Sequence, residues 1–228
     1  PAFLYKNEDR VYLANKVLDP HTTKLDAGAD PRDEAAYAKF SQKEYANDLI
    51  FDELISFVGQ NRKKPFFLMW TTPLPHVSLQ APEKWVKYYV GKFGDEAPYI
   101  GKAGYMPCRY PHATYAAMIS YFDEQIGKLI EKLKKERLYD NTVIMFTSDN
   151  GPTFNGGSDS PWFDSGGPFR SEYGWGKCFV HEGGIRIPAI VTWPGKIKPS
   201  TQSDHICGFQ DVMPTLADIA NIRSEERR

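Results

Sequence analysis

The sequence predicts an α/β fold in which a mostly parallel central sheet is flanked by helices. Apolar runs of strand length alternate with segments of helical periodicity, and this order is typical of parallel sheets. The predicted strands are 65–71, 142–147 and 187–193, and the main predicted helices are 41–61, 112–138 and 211–220. A chain of 228 residues is long enough to bury one core, so we expect a single α/β domain over 1–228.

Each element has a local signal. Residues 1–40 are rich in turn residues and predict an irregular lead-in. Ser41 to Glu44 read as a capping box, which predicts that a helix begins there and ends near residue 61. Apolar residues at three- and four-residue spacing predict the helix over 112–138, and a short helix is expected over 83–89. In the last helix, Val212, Leu216 and Ile219 are expected to face inward.

Composition excludes several classes of partner. The formal net charge is −1, so nothing in the charge balance favours nucleic acid or an anionic membrane. No apolar run approaches the roughly 20 residues of a membrane-spanning helix. Three cysteines without C-x-x-C spacing argue against a disulfide scaffold or a structural zinc site. We therefore expect neither a nucleic-acid nor a membrane partner.

The first candidate site follows the strand 142–147. Asp149 and Asn150 come directly after it, and open α/β sheets bind ligands at the carboxyl ends of their strands. One carboxylate and one amide are oxygen ligands suited to Ca²⁺ or Mg²⁺. An isolated Asp-Asn-Gly is more often a simple Asx turn, so the metal hypothesis depends on the motifs around it.

Two further motifs carry basic groups. Gly176-Lys177 precedes Glu182-Gly183-Gly184, and an ammonium in this glycine-rich setting could contact an anion. His76 follows the strand 65–71, and an imidazole there could donate a proton to a leaving oxygen. A surface lysine and a locally hydrogen-bonded loop histidine are the plainer interpretations of the same residues.

Taken in order, these motifs resemble the sulfatase family, within the alkaline-phosphatase-like superfamily. The similarity rests on S-D-N-G at 148–151, on G-K-x₄-E-G-G-x-R-x-P at 176–188 and on the Pro-His segment around residue 76. The resemblance implies a sulfuric-ester hydrolase acting on aryl or carbohydrate sulfates. It implies that Asp149 and Asn150 bind calcium, with magnesium as the alternative, and that Lys177 and His76 are catalytic. The implied partner is a sulfated small molecule or glycan.

The sequence departs from this family at the nucleophile. Sulfatases carry a Cys/Ser-x-Pro-x-Arg motif whose first residue becomes formylglycine, and none of the 228 residues fits it. The sequence is therefore expected to be a fragment, truncated at the N-terminus and inactive by itself, with the formylglycine in the missing part. The resemblance also implies a periplasmic, secreted or lysosomal location.

Two other functions are compatible with these motifs. The chain could belong to another hydrolase of the superfamily, such as a phosphodiesterase or phosphonate hydrolase, although D-N-G in place of D-H-G favours a single-metal sulfatase. It could also be a non-catalytic relative that binds a glycan. We expect structural roles for nearby residues. Glu182 and Arg186 are expected to form a buried or half-buried ion pair, and Cys178 is expected to be a packed apolar thiol. The aromatic residues of the loop 151–176 are expected to help select the alcohol part of the substrate.

Overall fold

The computed structural model describes residues 2–19, 21–102 and 104–222, and the chain divides into two compact units, Pro1–Pro194 and Gly195–Arg228. The first unit contains strands β1 to β4 and helices α1 to α4. In chain order these are β1 (Phe3–Lys6), β2 (Asp9–Tyr12), α1 (Ala46–Asn61), α2 (Glu83–Phe93), α3 (Pro111–Lys135), β3 (Ile144–Thr147), α4 (Glu182–Ile185) and β4 (Ala189–Thr192). Short 3-10 helices span Glu34–Phe40 and Tyr139–Asn141.

Helix α3 organises the core of the first unit and confirms the helix expected over 112–138. It begins at Pro111, where the missing N–H of proline costs nothing. The Glu96 carboxylate accepts hydrogen bonds from the N–H groups of His112 (2.8 Å) and Ala113 (3.0 Å) and so caps the helix. Its buried side chains pack against the segment that contains His76. This core comprises Leu74, Val77, Leu79, Cys108, Tyr115, Met118 and Tyr121.

Polar contacts tie the other two long helices to α3. The Tyr121 hydroxyl donates to the Asp48 carboxylate of α1 at 2.6 Å. The Glu124 carboxylate accepts from Lys84 (2.7 Å) and from the Trp85 indole N–H (2.8 Å) of α2. The three helices therefore form one layer in which α3 is the common partner.

The expected capping box is wrong. Helix α1 begins at Ala46, and its N-cap residue Tyr45 makes no side-chain capping bond. Two competing contacts occupy the predicted capping residues. The Ser41 N–H closes the preceding 3-10 helix by donating to Ala38 O, and the Glu44 carboxylate accepts from the Ala14 N–H. The irregular lead-in is also more ordered than expected, because β1 and β2 form an antiparallel hairpin.

The strands differ from the predicted parallel arrangement. Among the described residues β3 pairs antiparallel with β4, with Thr147 opposite Ala189 and Ile144 opposite Thr192. Thr147 Oγ1 donates to Pro188 O at 2.9 Å, so the chain returns beside the last residue of β3 before β4 begins. The fold class α/β holds, but the described sheets are two-stranded and no parallel central sheet is present among them.

Residues 65–71 do not form the predicted strand. The backbone there has the alternation of a strand, with Phe66, Leu68 and Trp70 partly buried and Phe67 and Met69 exposed. No described strand lies beside it to complete a hydrogen-bonded ladder. The apolar run predicted a buried strand, but Phe67 and Met69 are exposed and no described strand pairs with the segment.

The second unit contains one helix in its described part. Helix α5 spans Val212–Ile219 and follows a 3-10 turn over Phe209–Asp211. The Asp211 carboxylate accepts from the Gly208 N–H at 2.8 Å and fixes this start. Val212 and Leu216 are half-buried, but Ile219 is exposed, contrary to the expected inward face. No described helix of either unit is long and apolar enough to cross a membrane.

Candidate functional site

The Asp-Asn-Gly turn and the Glu-Gly-Gly turn are in direct backbone contact. The Gly151 N–H donates to Gly184 O at 2.9 Å. A Cβ at Gly151 would lie 1.9 Å from Gly183 O, far inside any real contact distance. Glycine at 151 is therefore required by the close approach of two backbones, and two motifs that lie 30 residues apart meet here.

Lys177 is held against the same turn. Its backbone N–H donates to Pro152 O at 2.9 Å, directly after the Asp-Asn-Gly motif. A Cβ at Gly176 would lie 2.7 Å from the same carbonyl oxygen and 2.5 Å from Ser171 O. The Asp-Asn-Gly turn, the Glu-Gly-Gly turn and Gly176-Lys177 thus form one tightly packed backbone cluster, and Lys177 belongs to it.

His76 is positioned by the segment that precedes α2. Its neighbours Leu74 and Val77 are buried in the core, and its own N–H donates to Pro73 O at 2.7 Å. The imidazole Nδ1 contacts Val77 O, a carbonyl that can only accept a hydrogen bond. Nδ1 therefore carries a proton, and Nε2 is the nitrogen left for a substrate.

His76 and Lys177 line the same cavity, which has a volume of about 70 Å³. Its other lining residues are Tyr105, Thr153, Phe154, Asn155 and Cys178. The Tyr105 ring lies edge-on to the His76 imidazole, with the ring centroids 6.2 Å apart. No carboxylate of the described residues pairs with the Lys177 ammonium, so its charge is available to an anion. An imidazole and an ammonium beside one small cavity can hold an oxyanion and donate a proton to it.

The sequence patterns missed the other residues of this cavity. Thr153, Phe154 and Asn155 directly follow the Asp-Asn-Gly-Pro turn, and that position was the only signal that could have marked them. Tyr105 lies in a proline-rich excursion without periodicity and gave no signal at all. Cys178 is exposed and has a positive φ of 75°, so the expectation of a packed thiol is wrong for this cysteine. The buried thiol is instead Cys108, whose pKa burial raises to about 11.

Asp149 and Asn150 lie at the end of β3 but outside the lining of the cavity. Asp149 is exposed, and Asn150 uses its amide N–H to donate to Gly151 O at 2.9 Å. Neither the carboxylate nor the amide oxygen accepts a hydrogen bond from the described residues. One carboxylate and one amide fit a divalent cation in type, but their three oxygens fall short of the six to eight that Ca²⁺ usually takes. Consistent with this, the described residues contain no cluster of three His, Cys, Asp or Glu that could hold a metal.

The loop 151–176 is ordered by buried hydroxyl groups. Ser158 Oγ donates to Thr153 O (2.9 Å), and Ser160 Oγ donates to Ser171 O (2.9 Å). Of its aromatic residues Phe154 reaches the cavity, whereas Trp162 does not line it. Trp162 instead stacks on His112, with ring centroids 4.3 Å apart and planes 11° apart.

The expected ion pair of the Glu-Gly-Gly turn is present but not buried. Arg186 donates to the Glu182 carboxylate at 3.0 Å, and both side chains are more than half exposed. Contacts of this kind stabilise a fold little, so the turn depends on its glycines instead. His181 stacks at a tilt on Trp175, with ring centroids 4.4 Å apart, and does not line the cavity.

Comparison with known proteins agrees with these motifs. The family model for sulfatases matches residues 3–222. N-acetylgalactosamine-6-O-sulfatase of Bacteroides thetaiotaomicron is 32% identical over 157 residues, which cover 68% of this chain and 27% of the relative. Choline-sulfatase of Rhizobium meliloti is 37% identical over 120 residues, which cover 53% of this chain and 20% of the relative.

A similar fold is found among solved structures. The crystal structure of Ps i-CgsB in complex with k-i-k-neocarrahexaose superimposes with a TM-score of 0.64 at 29% identity, covering 81% of this chain and 36% of that one. The chain spans less than half the length of the curated relatives it matches. Because the family model matches nearly all of its residues, the chain belongs to the sulfatase family.

Proposed function

We propose that the protein is a sulfuric-ester hydrolase that acts on carbohydrate or aryl sulfates at the cavity of His76 and Lys177. The observation that carries this proposal is the convergence of these two side chains, 101 positions apart in sequence, on one small cavity. Two of the similar proteins support the substrate class: one is named N-acetylgalactosamine-6-O-sulfatase, and the other was solved in complex with k-i-k-neocarrahexaose.

Lys177 is proposed to hold the sulfate group. An ammonium is a compact point charge, and its attraction for sulfuryl oxygens increases as negative charge develops on them during transfer. The backbone bond to Pro152 O fixes the main chain of Lys177, while the side chain remains free of a competing carboxylate among the described residues.

His76 is proposed to protonate the leaving alcohol oxygen. With Nδ1 directed at Val77 O, Nε2 of the imidazolium is the donor available to an oxygen in the cavity. Phe154 and Tyr105 then provide apolar surface against the alcohol part of the ester. These are the roles that the family resemblance implies for the same two residues.

Asp149 and Asn150 are proposed to contribute oxygen ligands to a divalent cation at the end of β3. When bound, such a cation neutralises charge on a sulfate oxygen and on the nucleophile. The remaining ligands, and a formylglycine nucleophile, are proposed to come from outside this sequence. We further propose that the extended segment 65–71 joins a larger alkaline-phosphatase-like parallel sheet, because its alternate side chains are already buried on one face.

Hydrolysis of an aryl sulfate and the matched aryl phosphate by the full-length protein tests this proposal. We expect the sulfate to be preferred, and Lys177→Met to lower kcat by roughly 10²–10³-fold, as expected for loss of a transition-state charge contact. Lys134→Met is the matched control, since Lys134 is an exposed lysine that lies over Tyr139 and not in the cavity. Preference for the phosphate, or equal effects of the two substitutions, would contradict the proposal.

A further inference from the structure

An aromatic row runs along α2 and continues onto the loop 151–176. Tyr88 and Phe93 are exposed, whereas Tyr89 is half-buried and its hydroxyl lies 2.7 Å from Ser120 Oγ of α3. Successive rings lie in contact: Tyr88 and Tyr89 have centroids 5.1 Å apart, Tyr89 and Phe93 5.3 Å, and Phe93 and Trp162 5.2 Å. Tyr88 is 50% exposed and Trp162 is 52% exposed, so the row presents open ring surface to solvent. Contiguous exposed apolar surface rimmed by polar residues is one mark of an interaction site.

Trp162 is held rigidly within this row. One face of its indole lies on the His112 imidazole, with the ring centroids 4.3 Å apart, and about half of the residue remains exposed. His112 is itself fixed, because its two ring nitrogens lie 3.1 Å from the Glu96 carboxylate and 2.9 Å from the Asp159 carboxylate. A ring that is already immobilised loses little conformational entropy on binding a flat apolar partner.

The charge beside the row favours an anionic partner. Helix α2 carries three lysines and a single acidic residue. Lys84 and Lys87 are paired with Glu124 and Glu83, at 2.7 Å and 2.6 Å. Lys92 has no carboxylate partner among the described residues, and its ammonium lies 4.9 Å from the centre of the Tyr88 ring. The row therefore combines open aromatic faces with one uncompensated cation.

We propose that this row, Tyr88, Phe93 and Trp162 with Lys92, is a platform for a sulfated oligosaccharide. Sugar rings place their C–H faces on aromatic rings, and a sulfate ester on the same chain would pair with Lys92. Because Trp162 follows the cavity residue Asn155 by seven positions, at most about 25 Å of backbone separates the platform from the cavity. The inference rests on the proposed function, and it assigns to the protein a polymeric substrate whose distant sugar units bind here.

Calorimetric titration of the 228-residue chain with a sulfated galactan hexasaccharide tests the platform without any turnover. We expect Tyr88→Ala and Trp162→Leu each to weaken binding about tenfold, because each removes one stacked ring. Tyr12→Ala is the matched control, because Tyr12 is an exposed tyrosine of the hairpin strand β2. It should leave the affinity unchanged.

The charge contribution is tested separately with the chemically desulfated hexasaccharide. Lys92→Gln should weaken binding of the sulfated probe severalfold and leave binding of the desulfated probe unchanged. Lys134→Gln, which alters a lysine placed equally over a tyrosine ring, should affect neither. If Trp162→Leu does not fold, Tyr88→Ala alone decides, since Tyr88 lies on the exposed side of a regular helix.

Three results would overturn the platform: no binding of the sulfated hexasaccharide by the wild-type chain, equal weakening by Tyr12→Ala, or undiminished binding by Tyr88→Ala. Any of these three results can occur while the full-length protein still hydrolyses an aryl sulfate, because an aryl sulfate is too small to reach from the cavity to the platform. Conversely, binding on the platform can persist in a protein that hydrolyses no sulfate ester. The two proposals therefore fail by different measurements.

Discussion

Replacing Gly151 by alanine tests whether the backbone cluster at the site is as close-packed as the structure indicates. The new Cβ would lie 1.9 Å from Gly183 O, whereas ordinary contacts begin at 3.4 Å. The carbonyl would have to move by about 1.5 Å, and it belongs to a backbone turn rather than to a flexible side chain. We expect a loss of about 3 kcal/mol, the upper part of the usual range for overpacking. For a chain of this length that lowers Tm by roughly 6–12 °C.

Gly127→Ala is the matched control for this substitution. Gly127 lies within α3, and a Cβ there would meet nothing within 4 Å. Alanine is favoured over glycine in a helix interior by about 1 kcal/mol, so Tm should rise by roughly 2–4 °C. Thermal unfolding followed by circular dichroism measures both variants. If Gly151→Ala unfolds within 1–2 °C of the wild type, the contact between the two turns does not exist as described.

Three further predictions concern charge, thiols and metal. The pKa of Glu124 is lowered to about 2, first by Lys84, so its stabilising contribution is present above pH 4.5 and is lost as the pH falls towards 2. Glu124→Gln should lower Tm at pH 7 and flatten the acid limb of a Tm–pH profile, whereas Glu131→Gln, at an exposed position, should do neither. Iodoacetamide at pH 8 should modify two thiols of the native chain, counted by intact mass, and reach buried Cys108 only after unfolding; three modified thiols in native protein would contradict its burial. Calorimetry should find Ca²⁺ bound no tighter than about 1 mM, since one carboxylate and one amide follow β3, and a micromolar site would refute that ligand set.

The helices could be predicted from the sequence because their signals are local. Apolar spacing was sufficient for α3, and the structure places the helix within a few residues of the expected bounds. The start of α1 could not be predicted in this way. The Glu44 carboxylate has a competing donor at Ala14, thirty positions earlier, and no local pattern reveals that competition.

The pairing of strands was beyond local signals as well. An apolar run predicts a buried strand, yet only alternate side chains of residues 66–70 are partly buried. It does not specify the partner strand, which depends on where the chain returns. At the start of β4 the chain returns beside Thr147, the last residue of β3, which donates to Pro188 O 41 positions later, and no local pattern reveals that contact.

Motif order was informative about the site because the motifs meet through backbone rather than side chains. His76 and Lys177 were predicted together, yet the geometry that places them depends on three backbone hydrogen bonds: His76 N–H to Pro73 O, Lys177 N–H to Pro152 O, and Gly151 N–H to Gly184 O. Only glycine fits where these backbones lie in contact, so the glycines form a pattern that can be recognised in the sequence. The side chains that merely line the cavity, such as Tyr105, need no particular backbone and leave no pattern.

Substitutions of the cavity side chains and substitutions of the backbone glycines should therefore have different effects at the same site. Lys177 and His76 project from a backbone that is fixed without their side chains, so changing them should alter chemistry while Tm stays nearly constant. Gly151 and Gly184 contact no substrate in the proposed mechanism, but a Cβ at Gly184 would lie 2.1 Å from Phe179 O. Alanine there should lower Tm and displace Lys177, and activity should then fall with stability. A lysine substitution that lowered Tm as much as a glycine substitution would show that the Lys177 side chain supports the fold, and the proposed role as a free cation in the cavity would have to be abandoned.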